Sequence, residues 1–231
     1  KQRGEASAGV DAETAALFPE RLVDSELGEI PEGWGVKRLD ETIEILTGGT
    51  PKTKIAEYWD GEIPWFSVQD APSESDVFVV QTDRTITSQG IENSSAKIMP
   101  PKTTIITARG TVGKLALTAQ EMAMNQSCYG IRGADGIGDY FTYYCIHSTI
   151  RRLQQRTHGT VFDTIKKKTF STIKIAVPSV KLTREFDRVV APLLERIRLN
   201  LHENISLAEM RDVLLPKLLK GDFELLMPPT L

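Results

Sequence analysis

The chain has 231 residues, of which 40% are hydrophobic and 26% charged, with a formal net charge of −3 and a pI near 5.7. That length holds one large domain, or one domain with an appendage, and the acidic balance excludes a simple, uniformly basic nucleic-acid-binding module. No apolar run approaches the ~20 residues needed to cross a bilayer and no charged-then-apolar signal segment opens the chain, so the expectation is a cytoplasmic protein with no membrane partner.

The first residue is Lys1 rather than Met, which reads as a fragment or a processed chain. Residues 1–25 are polar, Ala/Glu-rich and without sustained apolar periodicity; they are expected to be linker or poorly ordered, with a short helical turn around Asp11–Leu17. The turn-rich stretch Leu27-Gly28-Glu29-Ile30-Pro31-Glu32-Gly33-Trp34 marks the entrance to a domain spanning 26–180. Inside it, short β-like runs occur at Thr42–Leu46, Ile63–Val68, Val77–Val80, Thr103–Thr107, Lys114–Thr118 and Thr172–Val177. Gly/Pro-rich turns separate them, and one helix is expected from Asp139 to about Arg156. With strands dominant and no βαβ alternation, the fold class is α+β, with an irregular, largely antiparallel sheet.

A different pattern begins near residue 181. Thr183 reads as an N-cap, and Phe186, Val190, Leu193, Leu194, Ile197, Leu201, Ile205, Ala208, Leu215 and Leu218 recur at helical spacing. Leu194, Leu201, Ala208 and Leu215 fall at steps of seven and predict one coiled-coil-like seam, with Asn204 as a register-setting polar position. Pro192 should kink or delay the helix near its start, and Gly221 should end it. The arm is expected to span 181–226, with 227–231 as a tail. A helix of this length exceeds what a domain of this size can cover, so a partner must bury part of it. The candidate partner-facing residues are Val190, Leu194, Ile197, Leu201, Ala208 and Leu215.

Charge is unevenly distributed. Residues 41–96 carry three Lys/Arg and ten Asp/Glu, whereas residues 97–174 carry twelve and four. A basic middle segment in an acidic chain is what a one-faced polyanion contact requires, although interleaving of the segments on folding would also give a mixed surface.

Catalytic patterns are absent. Gly110-Thr111-Val112-Gly113-Lys114 ends like a phosphate-binding loop, but Ala108 stands where the first glycine is required and Leu115 follows the lysine. No Asp or Glu precedes a lysine by two places as in common metal-dependent nucleases, and no Asn/Asp-Pro-Pro-aromatic segment of an adenine methyltransferase occurs. Cys128 and Cys145 form no CxxC pair, and His147, His158 and His202 have no zinc spacing, so no metal site is expected. Asp60 and Glu62 read as surface charge flanking a glycine turn. This chain is therefore not expected to be an enzyme.

What remains is a recognition surface. The loops Gly48–Lys54, Arg109–Lys114 and Asn125-Gln126-Ser127 combine glycine with donor side chains that pair with base edges. Lys166-Lys167-Lys168 suits phosphate neutralisation. The candidate DNA-contacting residues are Thr50, Lys52, Lys54, Arg109, Thr111, Lys114, Gln126, Lys166, Lys167 and Lys168. Each loop taken alone reads first as a solvated turn, and Tyr58, Trp59, Trp65 and Phe66 read first as core. A non-enzymatic protein- or RNA-interaction module with a coiled-coil docking helix fits the same residues.

In order, these segments resemble type I restriction-modification specificity subunits. The stretch from Leu17 to Trp34 looks like the family's junction into a recognition domain. Gly48-Gly49-Thr50-Pro51 with Ile63-Pro64-Trp65, and Arg109-Gly110-Thr111-Val112-Gly113 with Asn125-Gln126, look like its two internal signatures. Glu203-Asn204 through Gly221 looks like its C-terminal helix. The resemblance implies a target-recognition domain reading one half of a bipartite double-stranded DNA target, and a helix that spaces or dimerises such domains. It further implies methyltransferase and restriction subunits as partners; S-adenosylmethionine, ATP and Mg are then expected only in those partners, with no cofactor in this chain. A full subunit has two such domains and two helices. The chain is thus either the C-terminal half of one, which the junction-like start favours, or a half-subunit forming a homodimer.

Overall fold

A computed structural model describes residues 11–73, 76–157 and 164–221, without the side chains of 154–157. The expectations for residues 1–10 and 222–231 lie outside the described residues, as does His158. Helix α1 (Ala12–Ala16), capped by Asp11, and a hairpin of β1 (Leu22–Ser25) with β2 (Gly28–Pro31) come first. The stretch expected as linker is therefore ordered from Asp11 onward. Its anchor is Thr14, a buried residue whose hydroxyl donates to Glu185 at 2.8 Å.

The domain proper starts with β3 (Gly35–Arg38) and β4 (Ile43–Thr47), followed by β5 (Trp59–Phe66), β6 (Phe78–Val79), β7 (Thr85–Ile86) and α2 (Ser88–Glu92). Strands β8 (Thr104–Thr107), β9 (Leu115–Thr118), β10 (Ala123–Met124) and β11 (Cys128–Gly133) come next, then α3 (Asp139–Thr157), α4 (Lys167–Ser171), β12 (Lys174–Val177) and α5 (Val180–Lys220). A five-stranded sheet runs in the order β4-β11-β8-β9-β6, a three-stranded sheet in the order β10-β5-β7, and β12 pairs with β3. Among the described residues all pairings are antiparallel except β5–β10 and β6–β9. The fold is α+β, with a long C-terminal helix.

The central strands show why the pattern in Thr103–Thr118 is nearly continuous rather than alternating. Every residue of β8 is buried, because the sheet is covered on both faces. Successive side chains of a strand point to opposite faces, and Ile105 and Ile106 accordingly enter different cores. One core packs Ile106 and Ile131 against Ile146 and Phe170; the other packs Ile105 against Phe66, Met99 and Met124. Trp59 and Trp65, both buried, form a further core with Ile86. Asp60 and Glu62 do not flank a turn. They lie within β5, where the register with β7 shifts between Trp59 and Ile63 and Asp60 adopts φ 59°.

Helix α5 is one uninterrupted element of 41 residues, ~60 Å at 1.5 Å per residue. It starts earlier than its periodicity suggests. Ser179 is the N-cap, its hydroxyl accepting from Leu182 N, whereas Thr183 is buried inside the first turn and accepts from Gly138 N at 3.3 Å. Pro192 therefore does not delay the helix, which continues through Pro192 and Pro216 and ends at Gly221 in the left-handed region, φ 73°. Asp187 reaches from α5 to the first turn of α3, accepting from Phe141 N at 2.7 Å and Tyr140 N at 3.1 Å. Burial holds the Asp187 carboxyl above its ordinary value in spite of those bonds.

The seven-residue seam is divided by this docking. Leu194 is 2% exposed and packs with Phe78, Leu117 and Tyr143, with Val190 and Leu201 beside it. Leu194 thus belongs to the chain's own core, while Val190 and Leu201 pack against that core and remain half-buried. Ile197 and Leu215 are exposed and Ala208 half-buried. Beyond Ile205 the helix carries Leu207, Met210, Val213, Leu214, Leu215, Leu218 and Leu219 in the open, Leu219 at 80%.

Candidate nucleic-acid interface

The loop after β4 is built against the loop after β10. A Cβ on Gly48 would lie 2.2 Å from the Asn125 carbonyl oxygen, and one on Gly49 would lie 2.3 Å from Ala96 N, so both positions need glycine for close approach. Gly49 N donates to Met124 O at 2.9 Å, and the Thr50 hydroxyl donates to the side-chain oxygen of Gln126. The Gln126 carboxamide is thereby oriented, with its oxygen engaged and its NH₂ donors left over.

Two tryptophans hold the same loop from beneath. Trp65 Nε1 donates to Gly49 O at 2.9 Å and Trp59 Nε1 to Lys52 O at 3.3 Å, while the two rings meet edge to face at 5.1 Å. The core assignment of both rings stands, but their indole N–H groups also fix the backbone that presents Thr50, Lys52 and Lys54. The guanidinium of Arg84 lies 3.5 Å from the Trp59 ring centroid, a cation–π contact. Sequence reasoning missed Arg84, which belongs to no glycine loop or basic run; only folding places it over Trp59.

The tip of the β8–β9 hairpin carries Arg109, Thr111 and Lys114, all exposed. Gly110 (φ 74°) and Gly113 (φ 88°) supply the left-handed conformations that the turn requires. Thr107 pins the tip from inside: Gly113 N donates to its carbonyl at 2.9 Å, Lys114 N to its hydroxyl at 3.0 Å, and that hydroxyl donates to Thr111 O. At the foot of the hairpin, Ala108 N donates to Ser127 O at 2.8 Å and Ile165 N donates to Ala108 O at 3.0 Å. Lys166–Lys168 follow directly, exposed at the start of α4, which the buried Phe170 anchors.

Backbone bonds thus stitch the four segments into one rim, in the order Gly48–Lys54, Asn125–Ser127, Arg109–Lys114 and Lys166–Lys168. All ten candidate contact residues lie on it, and Thr50 alone is half-buried. Among the described residues no carboxylate lies within ion-pair distance of Lys52, Lys54, Arg109, Lys114 or Lys166–Lys168; the ion pairs lie elsewhere, as in Arg132–Asp139 and Arg198–Glu195. The rim therefore presents uncompensated positive charge beside uncharged donors. Neither cysteine lies on it, and burial pushes the Cys128 thiol up to about 12 and Cys145 to about 11. Among the described residues no group of three His, Cys, Asp or Glu side chains could hold a metal ion, and no helix is long and apolar enough to cross a membrane.

A sheet-rich domain with a glycine-built basic rim and a projecting helix is the architecture of a defined class. The family model described as type I restriction modification DNA specificity domain matches residues 31–205, and the chain belongs to that family. Among individual relatives, it is 30% identical over 219 residues to the type I restriction enzyme HindI specificity subunit of Haemophilus influenzae, covering 91% of this chain and 47% of that protein. It is 28% identical over 196 residues to the MjaIX specificity subunit of Methanocaldococcus jannaschii, covering 78% and 45%. Among solved structures, the S subunit of the type I restriction-modification system from M. genitalium superposes with a TM-score of 0.59 at 17% identity, covering 81% of this chain and 46% of that one. The HsdS subunit from Thermoanaerobacter tengcongensis gives 0.53 at 20% identity, covering 91% and 49%. The chain spans about half the length of the curated relatives it matches.

Proposed function

We propose that this chain is one reading half of a type I specificity subunit: its rim recognises one half of a bipartite DNA target, and it performs no chemistry itself. The observation that carries this reading is the rim, where loops far apart in sequence converge and set unpaired Lys and Arg beside oriented amide and hydroxyl donors. Phosphate contacts from Lys52, Lys54 and Lys166–Lys168 would set the register on the duplex, and Arg109 and Gln126 would read base edges. The exposed distal part of α5, from Leu207 to Leu219, would dock a second reading half, either another segment of the same subunit or a second copy of this chain. Methyltransferase and restriction subunits would assemble on that frame in the cytoplasm and bring S-adenosylmethionine, ATP and Mg with them.

The test is co-expression with the cognate methyltransferase subunit and mapping of methylated adenines. Methylation at a bipartite motif is expected. Arg109→Ala or Gln126→Ala should cost on the order of 1–3 kcal/mol in binding and relax preference at one base position. Weakening that is uniform across sequences would move the substituted residue to the phosphate-contacting set. Duplex binding insensitive to salt, or co-purification with RNA in place of methyltransferase, would overturn the reading.

A further inference from the structure

Beside the hairpin tip the surface opens into a groove of about 690 Å³. The tip, with Thr111 and Lys114, forms one wall; α3, with Tyr143, His147 and Arg151, forms the other; Asp76 also lines it. Thr111 and Lys114 belong to both groove and rim, so the two surfaces are continuous. His147 lies nearly parallel to the Tyr143 ring, at 20° and 6.1 Å between centroids, which gives the α3 wall a flat polar ring one turn from Arg151. Lys114 and Arg151 form no ion pair among the described residues. Among the described residues that line it the carboxylate is that of Asp76, which accepts from the Ser73 hydroxyl at 3.1 Å.

We propose that this groove seats the sugar-phosphate backbone of the duplex whose bases the rim reads, with Lys114 and Arg151 holding phosphates from opposite walls. The proposal rests on the DNA-reading assignment above and adds α3 to the interface, which no glycine loop or lysine run had indicated. An open groove with a cation on each wall that forms no ion pair among the described residues, continuous with the basic rim, is matched by a polyanion that runs on from the rim, whose binding releases condensed counterions. Contacts of this kind position the protein without discriminating sequence. Both cations belong to the basic segment, residues 97–174, where twelve Lys/Arg stand against four Asp/Glu.

Because phosphate contacts are sequence-independent, the test needs no knowledge of the target. Binding of the full chain to a random-sequence 30-base-pair duplex (a probe length of ~30) is measured between 50 and 200 mM salt, the range over which counterion release is read. Arg151→Ala should reduce the slope of log affinity against log salt by about 1, so that the wild-type protein loses roughly 3–4-fold more affinity than the variant over that range. Arg151→Lys should restore the slope. Arg196→Ala, on α5 and outside the groove, should leave it at the wild-type value. A wild-type slope in Arg151→Ala, with binding otherwise present, would overturn the groove assignment and leave the rim reading intact. If the wild-type chain itself shows no salt-dependent duplex binding, the reading beneath the proposal is overturned with it.

Discussion

Replacing Gly48 with alanine would place a methyl group 2.2 Å from the Asn125 carbonyl oxygen, 2.4 Å from that of Met124 and 2.7 Å from the Asn125 carbonyl carbon. Even the close carbon–oxygen contacts of β-sheets stop at ~3.3 Å, so the two loops must part by about 1 Å. No rotamer change relieves the clash, because the obstructing atoms are backbone. The same displacement would stretch the 2.9 Å bond from Gly49 N to Met124 O beyond hydrogen-bonding range. Overpacking costs about 1–3 kcal/mol and a lost hydrogen bond about 1 kcal/mol more, so a destabilisation of roughly 2–4 kcal/mol is expected. Urea unfolding followed by tryptophan fluorescence reads it directly, since Trp65 bonds to this loop through Gly49 O; the midpoint should fall at an unchanged slope. Gly110→Ala is the control. Its φ is 74° and its nearest obstructing atom, Val68 Cγ1, is 3.8 Å away, so only the left-handed conformation is penalised, by ~1–2 kcal/mol. A Gly48→Ala protein that unfolds at the wild-type midpoint would refute the close-approach argument for the first signature.

Two further outcomes follow from the way α5 is used. Leu194→Ala should lower stability by about 2–5 kcal/mol, as a buried leucine truncation does, whereas Leu215→Ala, at a side chain 49% exposed, should stay within ~0.5 kcal/mol and instead weaken the proposed docking of a second reading half, followed by sedimentation. Equal effects of the two on unfolding would refute the division of the helix into a docked and a projecting part. The N-terminal helix should release in acid. The Asp11 and Glu185 carboxyls are held below their ordinary values, Asp11 chiefly by the Thr14 backbone N–H and Glu185 chiefly by Arg188. Groups shifted in that direction stabilise the folded arrangement above their unfolded-state values, and the contribution fades as pH falls through the folded ones. Amide chemical shifts of Ala12–Ala16 should accordingly titrate with a midpoint below the ordinary carboxylate position; a midpoint at that ordinary position would show that α1 is not held by this cluster.

Much of the secondary structure could be read from short-range pattern. Helix α3 starts at Asp139 as expected, Gly221 closes α5 as its capping chemistry predicts, and the runs at Thr103–Thr107 and Lys114–Thr118 become β8 and β9 with ends shifted by a residue. Local signals misled where tertiary contacts decided the outcome. Thr183 has the residue type of an N-cap but is buried against Gly138, and Ser179 caps instead. Asp60-Gly61-Glu62 has turn composition, yet the requirement to pair with β7 turns it into an irregular stretch of strand. The seven-residue seam was visible, but not the point at which the domain stops covering it.

The sequence by itself determined the more strongly patterned strands, among them β4, β8 and β9, the two long helices and the glycine turns, because those choices rest on neighbours within a few positions: periodicity, capping side chains and left-handed glycines. It also determined that positive charge gathers in the middle of the chain. Only the tertiary structure decided that Thr50 meets Gln126 across 76 positions of sequence, that Ala108 joins Ser127 to Ile165, that Arg84 covers Trp59, and that Leu194 is buried while Leu215 is not. Those contacts follow from how the chain's apolar faces are mutually buried, a global condition to which each residue contributes and which no local spacing records.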